Sequence, residues 1–257
     1  MNRYRVVQVG DIIFGGEAPV IIAGPCSIES AEILGQIAEG VKRAGATMLR
    51  GGAYKPRTKP SYFQGLGEAG LDILAEIKKR TQLPVVTEIT EMHMIDKTCR
   101  VADMLQIGSR NMYNYPLLKE IGKTGKPVLL KRAFSATIEE WIGASEYIGH
   151  DKIVFCERGI RSFDKATRNV LDLASAILVR EMTGLPIVID PSHATGRRDL
   201  IEPMSLAAIA AGADGLMIET HIDPCSSISD ADQTIDIATF TSISKKATEI
   251  RKLTQGS

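Results

Sequence analysis

No stretch of the 257 residues is apolar for long enough to span a bilayer, so no transmembrane helix is expected. The opening MNRYRVVQVGDIIFGG has neither the continuous apolar core nor the small-residue cleavage site of a secretory leader, which makes the cytoplasm the expected compartment. Net charge is also missing: 31 Lys and Arg balance 31 Asp and Glu, which argues against general binding to polyanions or membrane surfaces and confines any anion site to one locality. Aromatics make up only 5% of the chain and show no basic-aromatic repeat, so no base-stacking platform for nucleic acid is present. Cys26, Cys99, Cys156 and Cys225 are far apart and form no CxxC, which excludes a zinc ribbon and a disulfide framework. No GxGxxG or Walker pattern occurs, so neither a dinucleotide nor a nucleoside triphosphate is expected. No Pro/Ser-rich linker or shift in composition divides the chain, and residues 1–257 read as one domain.

Short apolar runs bounded by Gly, Pro or polar residues are plentiful. They are VIIAGPCS (20–27), TMLRGG (47–52), PVVTEI (84–89), MLQIGSR (104–110), PVLLKR (127–132), IVFCERG (153–159), PIVIDPSH (186–193) and GLMIETH (215–221). Each is nearly continuous in hydrophobicity, as parallel strands covered on both faces require. Amphipathic stretches lie between them. In AEILGQIAEGVKRAG, Ile33, Ile37 and Val41 recur at i+4, with Ser30 as N-cap and Gly45 as terminator. Thr137-x-x-Glu140 is a capping box, SFDKATRNVLDLASAILVREMTG (162–184) reads as a helix, and EPMSLAAIAAG closes on Gly212. Eight strands alternating with helices predict an α/β fold, a single (β/α)8 or TIM barrel. Residues 1–16 precede it and read as a hairpin that turns at Gly10-Asp11 and closes the barrel's bottom.

Cys26, Arg50, Glu88, Gln106, Lys131, Arg158, His193 and Glu219 all fall at or just beyond the C-terminal end of a predicted strand, the face on which barrel active sites are built. For any one of them a solvated rim is the simpler reading; eight together point to a site. Once the barrel closes, strands one, seven and eight are neighbours. Cys26, His193, Glu219 and Asp230 then make a mixed sulfur, nitrogen and oxygen set suited to a divalent ion such as Mn, Fe, Co or Zn, with His221 as a rival ligand. The stretch LRGGAYKPRTKPSYFQG (49–65) carries Arg50, Lys55, Arg57 and Lys59 and no acid. With Arg110, Lys131 and Arg158 these cations converge above the barrel, where Arg grips phosphate or carboxylate with two hydrogen bonds and Lys supplies a compact charge. Lys59, Arg197 and Arg198 fit a solvated rim equally well. Two small phosphorylated substrates suit such a set.

Taken together, IAGPCSIES, LRGGAYKPRT, LQIGSRNM, LLKR, CERGIR, DPSHATGRRD and GADGLMIE resemble the compact type I beta group of 3-deoxy-D-arabino-heptulosonate 7-phosphate (DAHP) synthases. The resemblance implies a metal-dependent homo-oligomer, commonly a tetramer, that joins phosphoenolpyruvate to erythrose 4-phosphate at the start of the shikimate pathway. It implies Cys26, His193, Glu219 and Asp230 as metal ligands. It also implies Arg110, Lys131 and Arg158 around phosphoenolpyruvate, with Arg50, Gln106 and Ser109 nearby. Arg57 and Thr58 would hold the erythrose phosphate, Lys55 would lie between the substrates, and Glu88 is the candidate to orient water. KPRT, Lys55 to Thr58, favours the four-carbon aldose over the arabinose 5-phosphate of the sister octulosonate-phosphate synthases. A Schiff-base aldolase using Lys131 without metal and a catalytically silent metabolite-binding barrel are the other readings. Two segments depart from the family pattern: KRAFSAT puts Ala133 where Gly is expected, and ETHIDPCSSISDA brings in Cys225, read as an inert loop thiol. With no segment for an appended regulatory domain, insensitivity to aromatic end products is expected.

Overall fold

The computed structural model describes residues 4–56, 59 and 61–255. Residues Val7–Val9 (β1) and Ile12–Phe14 (β2) pair antiparallel with Val9 opposite Ile12, so the hairpin turns at Gly10-Asp11, and Gly10 takes the positive φ of 58° that such a turn needs. Among the described residues, eight parallel strands then close into a barrel. They are Val20–Gly24 (β3), Met48–Arg50 (β4), Val85–Glu88 (β5), Met104–Ile107 (β6), Val128–Lys131 (β7), Ile153–Glu157 (β8), Ile187–Ile189 (β9) and Gly215–Glu219 (β10). Neighbours follow chain order and β10 returns to pair with β3. Each predicted strand contains its observed one, and each observed strand is shorter because the chain leaves the sheet where its polar residues begin.

Helices cover the outside: Ala31–Arg43 (α1), Glu68–Thr81 (α2), Ile95–Val101 (α3), Tyr115–Lys123 (α4), Ile138–Glu146 (α5), Leu173–Thr183 (α6), Pro191–Thr195 (α7), Ile201–Ala210 (α8) and Ile237–Gln255 (α9). The Ser30 hydroxyl accepts from Ile33 N, and the Thr137–Glu140 box is formed in both directions. No described helix is long and apolar enough to cross a membrane.

The helix predicted over 162–184 is too long by nearly its first half. It starts only at Leu173, capped by the Asp172 carboxylate, which accepts from Ser175 N. The preceding residues use their backbone groups elsewhere: Ile160 bridges Val170, and Arg168 N and Asn169 N donate to Thr195 O and Ala194 O. Tertiary pairing thus overrides a weak helical pattern.

Two apolar layers result. One lies between strands and helices, with Trp141, Phe155, Phe240 and Leu74 fully buried. The other fills the barrel's interior, where Val7, Val9 and Phe14 of the hairpin close over Ile22, Met48, Val86, Met104, Leu129, Val154, Val188 and Met217. The hairpin is therefore the floor of the barrel, and everything above that layer is free to be polar.

Candidate active site

Side chains alternate across a strand, so the residue two positions after an interior apolar one also faces inward, one step nearer the C-terminal mouth. Stepping up from Met48, Val86, Met104, Leu129, Cys156, Val188 and Met217 gives Arg50, Glu88, Gln106, Lys131, Arg158, Asp190 and Glu219, all of them buried. A ring of polar side chains thus sits directly on the apolar layer. Two glycines let Glu88 of this ring, and Lys55 beside it, lie close to backbone. A Cβ on Gly108 would fall 1.9 Å from Glu88 Oε1, and one on Gly52 would meet Lys55 Cδ at 2.7 Å and Cys26 O at 2.6 Å.

Cys26, His193, Glu219 and Asp230 meet on one side of the mouth, each offering one ligand atom within 4.8 Å of the others. His193 is not a strand residue as predicted. β9 ends at Ile189, and the imidazole is carried on α7, whose N-cap is Asp190. Asp190 Oδ1 accepts from His193 N at 2.9 Å and Oδ2 pairs with Nδ1 at 2.7 Å. With Nδ1 occupied, Nε2 faces the cluster, 3.2 Å from Glu219 Oε1, the way a carboxylate orients a metal-binding imidazole. Lys131 Nζ also donates to Asp190 Oδ2. Burial works against a charged Asp190, but His193 and Lys131 outweigh it and hold the carboxyl well below its ordinary range.

Glu219 is gripped on both oxygens. Oε1 accepts from Arg50 Nη1 at 2.8 Å and Oε2 from Gln233 Nε2 at 2.6 Å, and the Gln233 carbonyl accepts in turn from Arg168 Nη1 at 2.8 Å. A carboxylate only accepts and a guanidinium only donates, so this chain fixes which way the Gln233 amide points. Asp230 sits in the left-handed region at φ 55°, which aims its carboxylate back at Cys26. Burial opposes its charge too, yet the His193 ring, the hydrogen bond from Cys26 and Arg168 bring it down to about 2. The Cys26 thiol goes the other way. Burial, then the Glu219 charge, push it up to about 12, and its proton is donated to Asp230 Oδ2 at 3.1 Å. Two carboxylates, an oriented imidazole and a thiol that gives up its proton on ligation are a donor set that fits a borderline divalent ion.

The rival ligand His221 is turned elsewhere. Its Nδ1 accepts from Asp223 N at 3.0 Å and its Nε2 lies 3.4 Å from Glu29, outside the four-residue group. Cys225 is exposed, with Arg198 Nη1 at 3.9 Å.

Beside the four-residue cluster opens a cavity of about 170 Å³. Of the residues expected there from sequence, Arg50, Lys55, Glu88, Gln106, Ser109, Arg110, Lys131, Arg158, His193 and Asp230 line it. Arg57 and Thr58 lie outside the described residues. Sequence reasoning missed Tyr62, Phe134 and Arg168 in the lining, and Asp190 and Gln233 behind it. Asp190 was within reach, since it follows Val188 by the same two-residue step that singles out the others. Arg168 was hidden inside the over-long helix. Gln233 and Phe134 carried no signal of their own.

The chain matches the DAHP synthetase I family over residues 3–255. It is 48% identical over 238 residues to the phospho-2-dehydro-3-deoxyheptonate aldolase of Thermotoga maritima, an alignment covering 91% of this chain and 70% of the relative. The crystal structure of the enzyme of that name (DAHP synthase) from the same organism superposes with a TM-score of 0.92 at 46% identity, over 98% of this chain and 74% of that one. A 2-dehydro-3-deoxyphosphooctonate aldolase from Fusobacterium nucleatum is more distant, 29% identical over 278 residues and covering 100% of this chain and 99% of the relative. A barrel of this topology, with a cationic cavity at its C-terminal mouth and these relatives, makes the chain an enzyme of the DAHP synthetase I family.

Proposed function

We propose that the chain condenses phosphoenolpyruvate with erythrose 4-phosphate to give DAHP and inorganic phosphate, the opening step of the shikimate pathway, with a divalent metal held by Cys26, His193, Glu219 and Asp230. The observation that carries this reading is a four-residue cluster, two of whose members, His193 and Asp230, line a cavity that Arg50, Lys55, Arg110, Lys131 and Arg158 also line. An aldehyde oxygen and a phosphorylated enol find complementary charge side by side there. When bound, the metal supplies Lewis-acid polarisation of the aldehyde.

The chain's own residues do the rest. Arg110, Lys131 and Arg158 hold the carboxylate and phosphate of phosphoenolpyruvate, with Arg50, Gln106 and Ser109 completing that side of the cavity. Lys55, lying over Gly52, reaches between the two substrates, and Arg57 and Thr58 hold the phosphate of the aldose. The enol C3 forms the new bond to the aldehyde carbon, and C2 accepts water oriented by Glu88. The C2–O bond to the phosphate group then breaks to release it. Fixed cations stabilise the charge that develops without themselves reacting. The pairing of Lys131 with Asp190 supports a substrate-holding role for this side chain over that of a Schiff-base nucleophile.

The greater identity to the heptonate enzyme than to the octonate enzyme favours erythrose 4-phosphate over arabinose 5-phosphate. The reading takes residues 1–257 as one catalytic barrel that assembles as a homo-oligomer, a tetramer by family resemblance. Phosphate release from phosphoenolpyruvate, measured with each aldose and with and without chelator, tests it. Release with erythrose 4-phosphate that stops on chelation is the expected result. Preference for arabinose 5-phosphate, or turnover indifferent to chelator, would overturn it.

A further inference from the structure

Around Phe134, in the KRAFSAT turn that follows β7, three guanidiniums gather. Arg158 Cζ lies 4.6 Å from the ring centroid, Arg161 5.4 Å and Arg110 5.5 Å, all within cation–π range. The ring lines the cavity. Its own backbone ties the two loops together, Phe134 O accepting from Arg161 N at 2.7 Å.

The neighbouring guanidinium in sequence is handled in the opposite way. Arg132, the residue after β7, also lies near an aromatic face, 5.7 Å from the Trp141 centroid, but it donates to Glu157 at 3.1 Å and to Asp172 at 3.0 Å, so carboxylates cancel its charge where it sits. Among the described residues no carboxylate stands at ion-pair distance from Arg158 or Arg161. A carboxylate in place of Phe134 would hold these cations but would take up their N–H donors and repel an incoming anion. An aromatic face attracts a cation and supplies no carboxylate oxygen, so Arg158 is oriented without a carboxylate cancelling its charge.

We propose that Phe134 is a positioning residue that holds Arg158 and Arg110 in place for the phosphate group of phosphoenolpyruvate, and that this chain uses its π face where a carboxylate would defeat the site. The inference rests on the substrate reading above. It concerns affinity for one substrate and leaves the bond-forming machinery alone.

Phe134→Leu removes the π face and keeps an apolar side chain, while Phe134→Tyr keeps the face. In the leucine variant KM for phosphoenolpyruvate is expected to rise roughly tenfold, with kcat within about twofold of wild type, and with KM for the aldose and bound metal unchanged. The tyrosine variant should return KM to near the wild-type value. Inorganic phosphate alone should raise the melting temperature of the wild type and tyrosine variant more than that of the leucine variant. Phe134→Met, with similar bulk and no face, carries the same expectation as leucine and serves if the leucine variant does not fold.

A folded Phe134→Leu or Phe134→Met with wild-type KM for phosphoenolpyruvate and wild-type response to phosphate would overturn the inference. So would an equal rise in KM for the tyrosine variant, which would mark a merely structural role. If the wild-type chain released no phosphate from phosphoenolpyruvate with either aldose, the substrate reading would fall, while the melting comparison in phosphate would still decide what the ring does.

Discussion

The floor and the mouth of the barrel are built by the same strands, one two-residue step apart, and they obey opposite rules. At the floor Met48, Val86, Met104, Leu129, Val188 and Met217 meet Val7, Val9 and Phe14, and stability follows from apolar contact alone. At the mouth the next inward side chains are Arg50, Glu88, Gln106, Lys131, Asp190 and Glu219, also buried but charged or polar. Burying such groups is tolerable because they pair, as Arg50 does with Glu219 and Lys131 with Asp190. The two layers therefore divide the labour: the floor holds the strands in register so that the mouth can carry unfavourable charge in fixed positions. Two thiols show the division most clearly. Cys156 and Cys26 are both fully buried and both pushed upward, chiefly by burial. Cys156 belongs to the apolar layer, while Cys26 donates to Asp230 and accepts from Ser229 Oγ.

Substituting those two cysteines is the sharpest way to break the comparison. Cys26→Ala is expected to lower activity by at least about a thousandfold and to strip bound metal from the purified protein, with little change in melting temperature of the metal-free form. Cys156→Ala should keep its metal and destabilise the fold by about 1 kcal/mol. Elemental analysis alongside activity and thermal melting checks both. Metal retained at the wild-type level in Cys26→Ala would mean that the cluster is not a ligand set.

Removing a side chain from the floor should be next in size. Phe14→Ala opens a hole where the hairpin closes the barrel, and a loss of roughly 3 kcal/mol is expected in denaturant unfolding. KM values for the molecules that remain folded should be unchanged. A shifted KM with unaltered stability would show that floor and mouth are coupled more tightly than stacking alone implies.

Lys131→Ala tests the layer above by the converse pattern. It removes a cation expected to touch substrate, and kcat/KM should fall on the order of a hundredfold. Asp190 loses one partner but keeps His193, so the fold should survive. Leu129→Ala, one step below on the same strand, should instead lower stability by about 2 to 4 kcal/mol with kcat/KM of the folded fraction intact. If Lys131→Ala left turnover unchanged, the assignment of that cation to phosphoenolpyruvate would be wrong.

The floor was almost wholly legible in the sequence, and the mouth only in part, for a physical reason. An interior strand announces itself by its apolar run, and its polar end marks the mouth, which is how Arg50, Glu88, Gln106 and Glu219 could be picked out with no coordinates. What the run cannot encode is which partner a polar group finds. Gln233 lies fourteen residues beyond Glu219 in sequence and is joined to it only through the loop that carries Asp230. Arg168 reaches the site because Val170 bridges Ile160 rather than joining α6, a pairing that the helical pattern over 162–184 does not announce. Phe134 carried no signal in the sequence and became interpretable only with three guanidiniums around it.

The smallest expected effect belongs to the neutralised guanidinium on the outer face. Asp172 pairs with Arg132 and caps α6. Partial burial opposes its charge, but hydrogen bonds from Ser175 and the Arg132 guanidinium prevail and draw its pKa below the ordinary 3.8. A carboxyl whose pKa is depressed on folding stabilises the protein fully above its ordinary value and loses that contribution as pH falls through the lower folded-state value. Asp172→Asn keeps an oxygen to cap the helix and removes the charge. It should therefore be less stable than wild type by about 1 kcal/mol at neutral pH. The gap should persist down to about pH 3.8 and close only in stronger acid. Chemical denaturation of the two proteins across that range measures it. A gap that closed well above that pH, or one that widened in acid, would show that Arg132 draws its compensation from Glu157 alone and that Asp172 serves the helix cap.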